Sequence, residues 1–181
     1  MRVTEQHWLD GAARLESPNS NERPDPSAIE LVVVHGISLP PGRFGGRYVH
    51  DLFLNRLDIA AHPAFADLAE VRVSAHLLIS RRGALTQFVP FHRRAWHAGV
   101  SSWRRRPNCN DYAIGIELEG SDDRPYTRSQ YHRLRQVLEA LLARYPRLSP
   151  EAVVGHCEIA PGRKTDPGPG FSWRRLFAGV S

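Results

Sequence analysis

Val32-Val33-Val34-His35 is the stretch that decides the fold, because it closes a β-branched run, residues 29–34, with a histidine. A dense β-branched run of this kind is typical of a strand buried on both faces of a sheet. The pair Val153-Val154 leads to His156 in a similar way. We therefore expect two buried strands, each of which presents an imidazole at an edge of the sheet, a rigid platform for a site.

Working outward, the remaining patterns predict strands and helices that follow one another along the chain. The predicted strands are residues 29–34, 71–79, 84–89, 113–118 and 153–154. The predicted helices are residues 49–57, 127–145 and 172–177, and the predicted loops are residues 17–26, 39–46, 96–110 and 160–170. Thr127 and Gln130 form a capping box at the start of the longest helix, and residues 80–83 carry a hairpin signal.

These elements predict a mixed α/β fold with one central mixed β-sheet flanked by helices. The chain has 181 residues, which is the size of one domain. We predict a single domain over residues 1–181, with residues 1–28 packing on it or leading into it.

Composition and charge narrow the functional class. The chain carries 24 Lys and Arg against 19 Asp and Glu, a net charge of +5, and the excess is almost all arginine. Such a balance suits an anionic ligand. Nucleic acid is an open alternative, but no helix-turn-helix or zinc-finger spacing supports it, so we predict no nucleic-acid partner.

The same counts bear on location. No apolar run approaches the roughly 18–20 residues of a membrane span, and two cysteines are too few for a disulfide framework. The first residues contain no apolar core of a secretory signal. We therefore expect a soluble, cytoplasmic protein with no membrane partner, and a monomer.

His35, His156 and Asp166 are the candidate metal ligands. Asp166 follows ten residues after His156 in a proline-rich loop, and two imidazoles with one carboxylate leave a fourth zinc position open for water. The alternative is that both histidines are ordinary core residues. Cys157 is a competing ligand, but neighbouring strand residues point to opposite faces, so we interpret it as a packing residue.

Two further charged residues are candidates for catalysis. Glu117 lies in an otherwise apolar strand, where an acid is costly unless that face opens on a cleft, so it is our candidate general base. The alternative is a buried ion pair with an arginine. Lys164, the one lysine of the chain, is our candidate for stabilising an oxyanion, and a solvated loop lysine is its alternative.

Five strings carry a family resemblance over nearly the whole chain. They are VVVHGISLPPGRFGG from Val32, RVSAHLLISRRG from Arg72, VPFHRRAWHAGVS from Val89, CNDYAIGIELEG from Cys109 and GHCEIAPGRKTDPGPGF from Gly155. On these strings the chain resembles the AmpD-type N-acetylmuramyl-L-alanine amidases. These belong to a wider amidase group with phage T7-type lysozyme and the peptidoglycan recognition proteins.

The resemblance implies a bacterial hydrolase with one zinc ion per chain. The reaction it implies is cleavage of the amide between (1,6-anhydro-)N-acetylmuramic acid and L-alanine of muropeptides, in cell-wall recycling. Carried over position by position, the implied zinc ligands are His35, His156 and Asp166. The implied catalytic acid/base is Glu117, and the implied oxyanion-stabilising residue is Lys164.

The resemblance also implies substrate contacts, at Arg72 and Trp96. An arginine holds carboxylates bidentately, and an indole offers a flat face to a sugar. Two positions depart from the family pattern: Gly36 replaces an Asn, and Asn108 replaces an Arg. We predict substrate contacts at Arg106, two residues before Asn108, and at Asn108 itself. A non-catalytic muropeptide sensor on the same fold is the alternative, although such relatives usually lack a zinc ligand.

Overall fold

A computed structural model describes residues 1–178 of the chain. The predicted domain end at residue 181 lies outside these residues. The strands are β1 (Ala13–Arg14), β2 (Ser20–Glu22), β3 (Leu31–Ile37), β4 (Leu77–Ile79), β5 (Leu85–Gln87), β6 (Arg93–Ala95), β7 (Ser102–Trp103), β8 (Arg106–Pro107), β9 (Ala113–Glu119) and β10 (Val153–Gly155). The helices are α1 (Tyr48–Phe53), α2 (Arg128–Arg144), α3 (His156–Ile159) and α4 (Trp173–Phe177). Short 3-10 turns cover Ile59–Ala61, Pro63–Leu68, Cys109–Asp111 and Pro150–Ala152.

Six strands form the central sheet, in the order β1-β5-β4-β9-β3-β10. The pairs β4·β9, β9·β3 and β3·β10 are parallel, whereas β4 and β5 form an antiparallel hairpin. The predicted hairpin and the predicted mixed α/β fold with a central mixed sheet are both confirmed. Because the four adjacent strands β4, β9, β3 and β10 run parallel, their carboxyl ends meet at one edge of the sheet.

Strand boundaries differ from the predictions where long-range pairing decides them. The strand predicted over residues 71–79 is wrong in its first part, because the Ser74 N–H donates to the Trp96 carbonyl in a neighbouring loop and ladder pairing begins at Leu77. The strand predicted over residues 29–34 extends instead to Ile37, since its last residues pair with the end of β9. The unbroken apolar run ends at Val34, but the backbone of β3 continues to pair with β9 as far as Ile37.

Helix α2 confirms the clearest helix prediction. The Thr127 Oγ1 atom accepts from the Gln130 N–H at 3.1 Å, and the Gln130 side chain accepts from the Thr127 N–H at 3.0 Å. Its apolar face packs on the central sheet together with α4. The buried apolar residues of α2 are Tyr131, Leu134, Val137, Leu138, Ala140 and Leu141. Helix α1 is shorter than the predicted 49–57, because Asn55 takes a left-handed conformation with φ of 56°.

The N-terminal segment contributes strands rather than only a loop. Strand β1 pairs with β5, and β2, inside the predicted loop 17–26, pairs with β6. Arg23 follows β2 and is only 3% exposed. Its guanidinium donates to the carbonyls of Phe91, Asn110 and Ala113 at 2.8–3.1 Å. This buried cation ties residues 1–28 to the loops beside β9.

Among the helices of residues 1–178, none has the combination of length and apolar character that a bilayer crossing requires.

Candidate metal centre and its cavity

Strand register brings the candidate residues to one edge of the sheet. His35 on β3 stands opposite Glu117 on β9, and Val34 stands opposite Gly155 on β10. His156 comes directly after Gly155, so it follows the neighbouring strand at the same level. Our expectation that His35 ends its strand is wrong, because β3 continues for two residues beyond it. Those extra residues leave His35 nearly enclosed, at 1% exposure.

Three ligand atoms converge at this edge. His35 Nδ1 lies 2.9 Å from His156 Nδ1, and Asp166 Oδ2 lies 3.2 Å from the first and 3.1 Å from the second. Among the described residues this is the group of His, Cys, Asp and Glu side chains whose ligand atoms come within 4.8 Å of one another. A tetrahedral zinc ion with bonds of about 2.0–2.1 Å needs ligand atoms about 3.3–3.4 Å apart. The three separations, 2.9–3.2 Å, are slightly shorter than this spacing, and one cation can contact all three atoms.

The outer nitrogens of the two imidazoles are also bonded. His156 Nε2 lies 3.2 Å from the Ala98 carbonyl oxygen, which can only accept, so that nitrogen carries the proton. His35 Nε2 lies 3.0 Å from His97 Nδ1. With both protons on the outer nitrogens, both Nδ1 atoms offer lone pairs to the same point as the Asp166 carboxylate. In that arrangement a metal ion between the three atoms would bond all of them.

Burial and charge set the protonation of this group. Burial lowers the pKa of His35 to about 4, so its imidazole is neutral at physiological pH. Burial by itself raises the pKa of Asp166, but the His156 and His35 imidazoles outweigh it and hold that pKa far below its usual range. A neutral His35 imidazole and an ionised Asp166 carboxylate are forms that bind a metal ion.

Glu117 lies beside the candidate ligands His35, His156 and Asp166, in the same cavity, without a partner of its own. Its Oε2 atom is buried and bonds to nothing among residues 1–178. Burial and the Asp166 carboxylate raise the pKa of Glu117 well above its usual range, against a lowering by Lys164. The alternative of a buried ion pair with an arginine finds no support in the described contacts, since no such pair involves Glu117.

A cavity of about 300 Å³ opens over the cluster. Its polar side contains the three metal-ligand candidates together with Glu117, Lys164 and His97. Its apolar side is formed by Leu39, Leu52, Phe53, Val71 and Val73. Trp96 also lines it, and the Trp96 indole N–H donates to Asn21 Oδ1 at 3.0 Å, which fixes the ring. The cavity thus joins charged groups to an apolar wall and one indole face.

The other predicted substrate contacts lie outside this lining. The Arg72 guanidinium donates to the carbonyls of Ala69 and Val71. Arg106 forms an ion pair with Glu30 at 2.7 Å and stacks on Tyr112. Asn108 is exposed and has a left-handed backbone. The structure brings Trp96 to the cavity and leaves these three side chains away from its walls.

The surroundings of Cys157 differ from the prediction. Residues 156–159 form the helical turn α3, so the argument from strand alternation is wrong. Cys157 is a free, half-buried thiol outside the metal cluster. Its backbone N–H donates to the Asp166 carbonyl at 3.0 Å and so helps to fix the loop that carries the carboxylate.

Sequence reasoning missed the groups that support the ligands, His97 and Asn110 among them. Both lie in the stretch predicted as an irregular loop, which in fact contains the short β7–β8 hairpin and a 3-10 turn. Nothing in their spacing separates them from the other polar residues of that loop. Both residues lie within the strings that carry the family resemblance, but no local pattern assigned either of them a role.

Comparison with known proteins gives consistent matches. The family model described as N-acetylmuramoyl-L-alanine amidase matches residues 25–169. The 1,6-anhydro-N-acetylmuramyl-L-alanine amidase AmpD of Escherichia coli K12 is 54% identical over 179 residues. The match covers 99% of this chain and 97% of that protein.

Solved structures give the same result. A crystal structure of a selenomethionine AmpD derivative superposes with a TM-score of 0.94 at 53% identity, over 97% of this chain and 98% of that one. The amidase AmiD of E. coli was solved with the substrate anhydro-N-acetylmuramic acid-L-Ala-D-gamma-Glu-L-Lys. It superposes with a TM-score of 0.61 at 31% identity, over 83% of this chain and 57% of that one.

Proposed function

Because this chain belongs to the N-acetylmuramoyl-L-alanine amidase family, we propose that it hydrolyses the amide between (1,6-anhydro-)N-acetylmuramic acid and L-alanine of muropeptides. One zinc ion held by His35, His156 and Asp166 serves the reaction. The protein is a hydrolase of cell-wall recycling, and its substrate is a small anionic muropeptide.

The observation that carries this proposal is the convergence of two imidazole Nδ1 atoms and a carboxylate oxygen within 3.2 Å of one another, beside a buried glutamate. The donor set suits zinc and leaves one coordination position for a reacting group. When bound, zinc supplies a Lewis acid that polarises the amide carbonyl and lowers the pKa of a water molecule.

Glu117 moves the proton. Its unpartnered Oε2 takes a proton from the attacking water as the water oxygen bonds to the lactyl carbonyl carbon. It then gives that proton to the L-alanine nitrogen as the C–N bond breaks. The products are a free muramic carboxylate and a free peptide amine. The Lys164 ammonium, which lines the same cavity, stabilises the negative charge that develops on the carbonyl oxygen.

Substrate contacts follow from the shape of the cavity. The Trp96 indole, fixed by Asn21, offers its face to the anhydro-sugar. The apolar wall packs against the sugar's ring and lactyl methyl groups. The substrate contacts predicted at Arg72, Arg106 and Asn108 stay predictions, since these side chains lie outside the cavity lining.

Metal analysis combined with product mass spectrometry tests the proposal. The purified chain should contain one zinc ion, and incubation with an anhydro-muropeptide should release the anhydro-sugar and a stem peptide that begins with free L-alanine. Addition of a chelator should stop the release, and zinc should restore it. A chain that binds the muropeptide and releases nothing in the presence of zinc would instead be the non-catalytic sensor.

We propose further that the chain acts as a monomer in the cytoplasm. Both cysteines, Cys109 and Cys157, are free thiols, and free thiols are typical of a reducing compartment. Light scattering on the purified protein and fractionation of cells test the two statements separately. A stable dimer, or activity found only outside the cytoplasm, would contradict them.

A further inference from the structure

We propose that Asn110 is a positioning residue for the metal centre. Its side-chain oxygen fixes residues 97–98, and these residues bond the outer nitrogens of both imidazole ligands. The inference rests on the proposed function, because it concerns the zinc ligands His35 and His156. Asn110 itself bonds neither His35 nor His156; its partners are Arg23 and the backbone of His97 and Ala98.

The first half of this support is the His97 ring. His97 Nδ1 lies 3.0 Å from His35 Nε2. With a metal ion on His35 Nδ1, the proton of that imidazole sits on Nε2 and His97 Nδ1 accepts it. The His97 ring lies against Gly115 of β9, where any Cβ atom would collide with it. The remaining nitrogen, His97 Nε2, is buried and has no partner among residues 1–178. The ring therefore has one fixed partner, and that partner is a metal ligand.

The second half is the next carbonyl in the chain. The Ala98 oxygen accepts from His156 Nε2 at 3.2 Å and from the Arg163 guanidinium at 2.6 Å. A carbonyl oxygen only accepts, so it keeps the proton of His156 on Nε2 and leaves Nδ1 free for the metal ion. Two consecutive residues thus bond the outer nitrogens of both imidazoles.

Asn110 holds these two residues together. Its Oδ1 atom accepts from the His97 N–H at 3.1 Å and from the Ala98 N–H at 2.8 Å. Its own backbone carbonyl accepts from the buried Arg23 guanidinium at 3.0 Å. One amide oxygen therefore fixes the backbone from which both outer contacts arise. Loss of that oxygen frees His97 and Ala98 to move and lets either imidazole carry its proton on Nδ1.

The test compares Asn110→Ala with Asn110→Asp, which keeps an oxygen at the same place. Zinc affinity of the metal-free full-length chain is measured by competition with a chromophoric chelator. We expect Asn110→Ala to bind zinc about 10–100-fold more weakly and Asn110→Asp to keep the wild-type affinity. Gln87→Ala is the matched control: it removes another buried amide, which bonds the Leu9 N–H and the Val89 carbonyl. It should lose stability but keep the zinc affinity.

Nitrogen-15 NMR of the metal-free chain provides a readout that general destabilisation does not move. In the wild type, His35 and His156 should be protonated on Nε2 alone, and in Asn110→Ala both should show mixed tautomers. If Asn110→Ala does not fold, His97→Ala and His97→Gln replace it. The alanine variant should bind zinc more weakly, and the glutamine oxygen, which can accept from His35, should restore the affinity.

The outcomes separate the two proposals. Wild-type zinc affinity and unchanged tautomers in Asn110→Ala, or in His97→Ala where that pair is used, would overturn the role of Asn110 and leave the proposed function intact. A wild-type chain that binds no zinc would overturn the proposed function and this inference with it.

Discussion

Glu117 shows how a single residue depends on its surroundings. It is 9% exposed, its Oε2 atom has no described partner, and burial raises its pKa. A buried acid without a partner lowers the stability of the fold, because its charged form is taken out of water. Such a residue is retained where its proton transfer is needed, which agrees with its role as the proposed base.

Replacement of Glu117 by its amide separates its effect on stability from its effect on proton transfer. In Glu117→Gln we expect the hydrolysis rate to fall by about 10²–10⁴-fold, because an amide cannot take up the water proton. We expect zinc content to stay at one ion per chain and the free energy of unfolding of the metal-free chain to rise. Muropeptide turnover, metal analysis and urea unfolding provide the three measurements. Wild-type turnover would remove Glu117 from the mechanism.

Gly36, one of the two departures from the family pattern, has a steric explanation. A Cβ atom at this position would collide with the Tyr126 hydroxyl. That hydroxyl donates to the Pro167 carbonyl at 3.0 Å, directly after Asp166. The glycine thus makes room for a tyrosine that fixes the loop carrying Asp166.

A double-mutant cycle tests this packing. Gly36→Ala should destabilise the chain by about 1–3 kcal/mol, as expected for an overpacked site. Tyr126→Phe removes the colliding atom at the cost of one hydrogen bond, about 1 kcal/mol. In the Tyr126→Phe background the alanine should therefore cost much less. Urea unfolding of the four proteins measures the coupling, and strictly additive changes would contradict it.

At the scale of elements, α2 forms for local reasons. The capping box of Thr127 and Gln130 satisfies backbone donors at its first turn, and the apolar stripe buries itself on the sheet. The Thr127 hydroxyl also donates to the Arg81 carbonyl at 2.7 Å, which joins the helix start to the β4–β5 hairpin. The cap therefore stabilises two elements.

Removal of this cap should affect stability and not chemistry. Thr127→Ala should lower the free energy of unfolding by about 1–2 kcal/mol, and Thr127→Ser, which keeps the hydroxyl, should restore most of it. The rate of muropeptide hydrolysis should stay unchanged, because Thr127 lies outside the cavity over the metal cluster. Thermal unfolding and turnover are measured on all three proteins. A matching loss of rate would show that the helix start is coupled to the cavity.

Strand β9 illustrates how one element serves both fold and site. Its central position between β4 and β3 makes it apolar on the α2 side, where Ile114, Ile116 and Leu118 pack. On the other side it carries Gly115 beneath the His97 ring and Glu117 beside His35. Alternation along one strand thus separates packing residues from functional residues.

At the scale of the whole molecule, buried histidines make stability depend on pH. His76 is fully buried, with Nδ1 accepting from the Gly115 N–H at 3.0 Å. Burial and the nearby Arg23 hold its pKa well below 6.5. At pH values below 6.5 the unfolded chain binds a proton at this residue and the folded chain does not, so acid favours unfolding.

Stability should therefore fall as the pH decreases below 6.5, with a contribution from His76 of about 1.4 kcal/mol per pH unit. His76→Asn, whose side-chain oxygen can replace the Nδ1 acceptor, should be less stable at neutral pH but should depend less on pH. Urea unfolding of both metal-free proteins between pH 7.5 and 5.5 gives the two slopes. Because every other titrating group is shared, equal slopes would exclude His76 as the source.

The sequence by itself determined what local order encodes. The helical spacing of apolar residues and the capping box predicted α2, and β-branched runs predicted most strands of the central sheet. Turn residues predicted the β4–β5 hairpin, and long strings indicated the family. It also supplied the candidates His35, His156 and Asp166, whose roles as ligands remain a prediction. The predicted ends of the strands were less accurate, because backbone pairing with neighbouring strands, and not apolar content, determines where a strand ends.

Only the tertiary structure decided which groups meet. His35 and His156 are 121 residues apart in the chain and come together because β3 and β10 pair in parallel. Other contacts likewise join separate parts of the chain. The His97 ring packs on Gly115, the Asn110 side chain accepts from the His97 and Ala98 N–H groups, and the Tyr126 hydroxyl lies over Gly36. Such contacts arise from packing and register, which depend on the whole folded chain and leave no periodic signal in the local sequence.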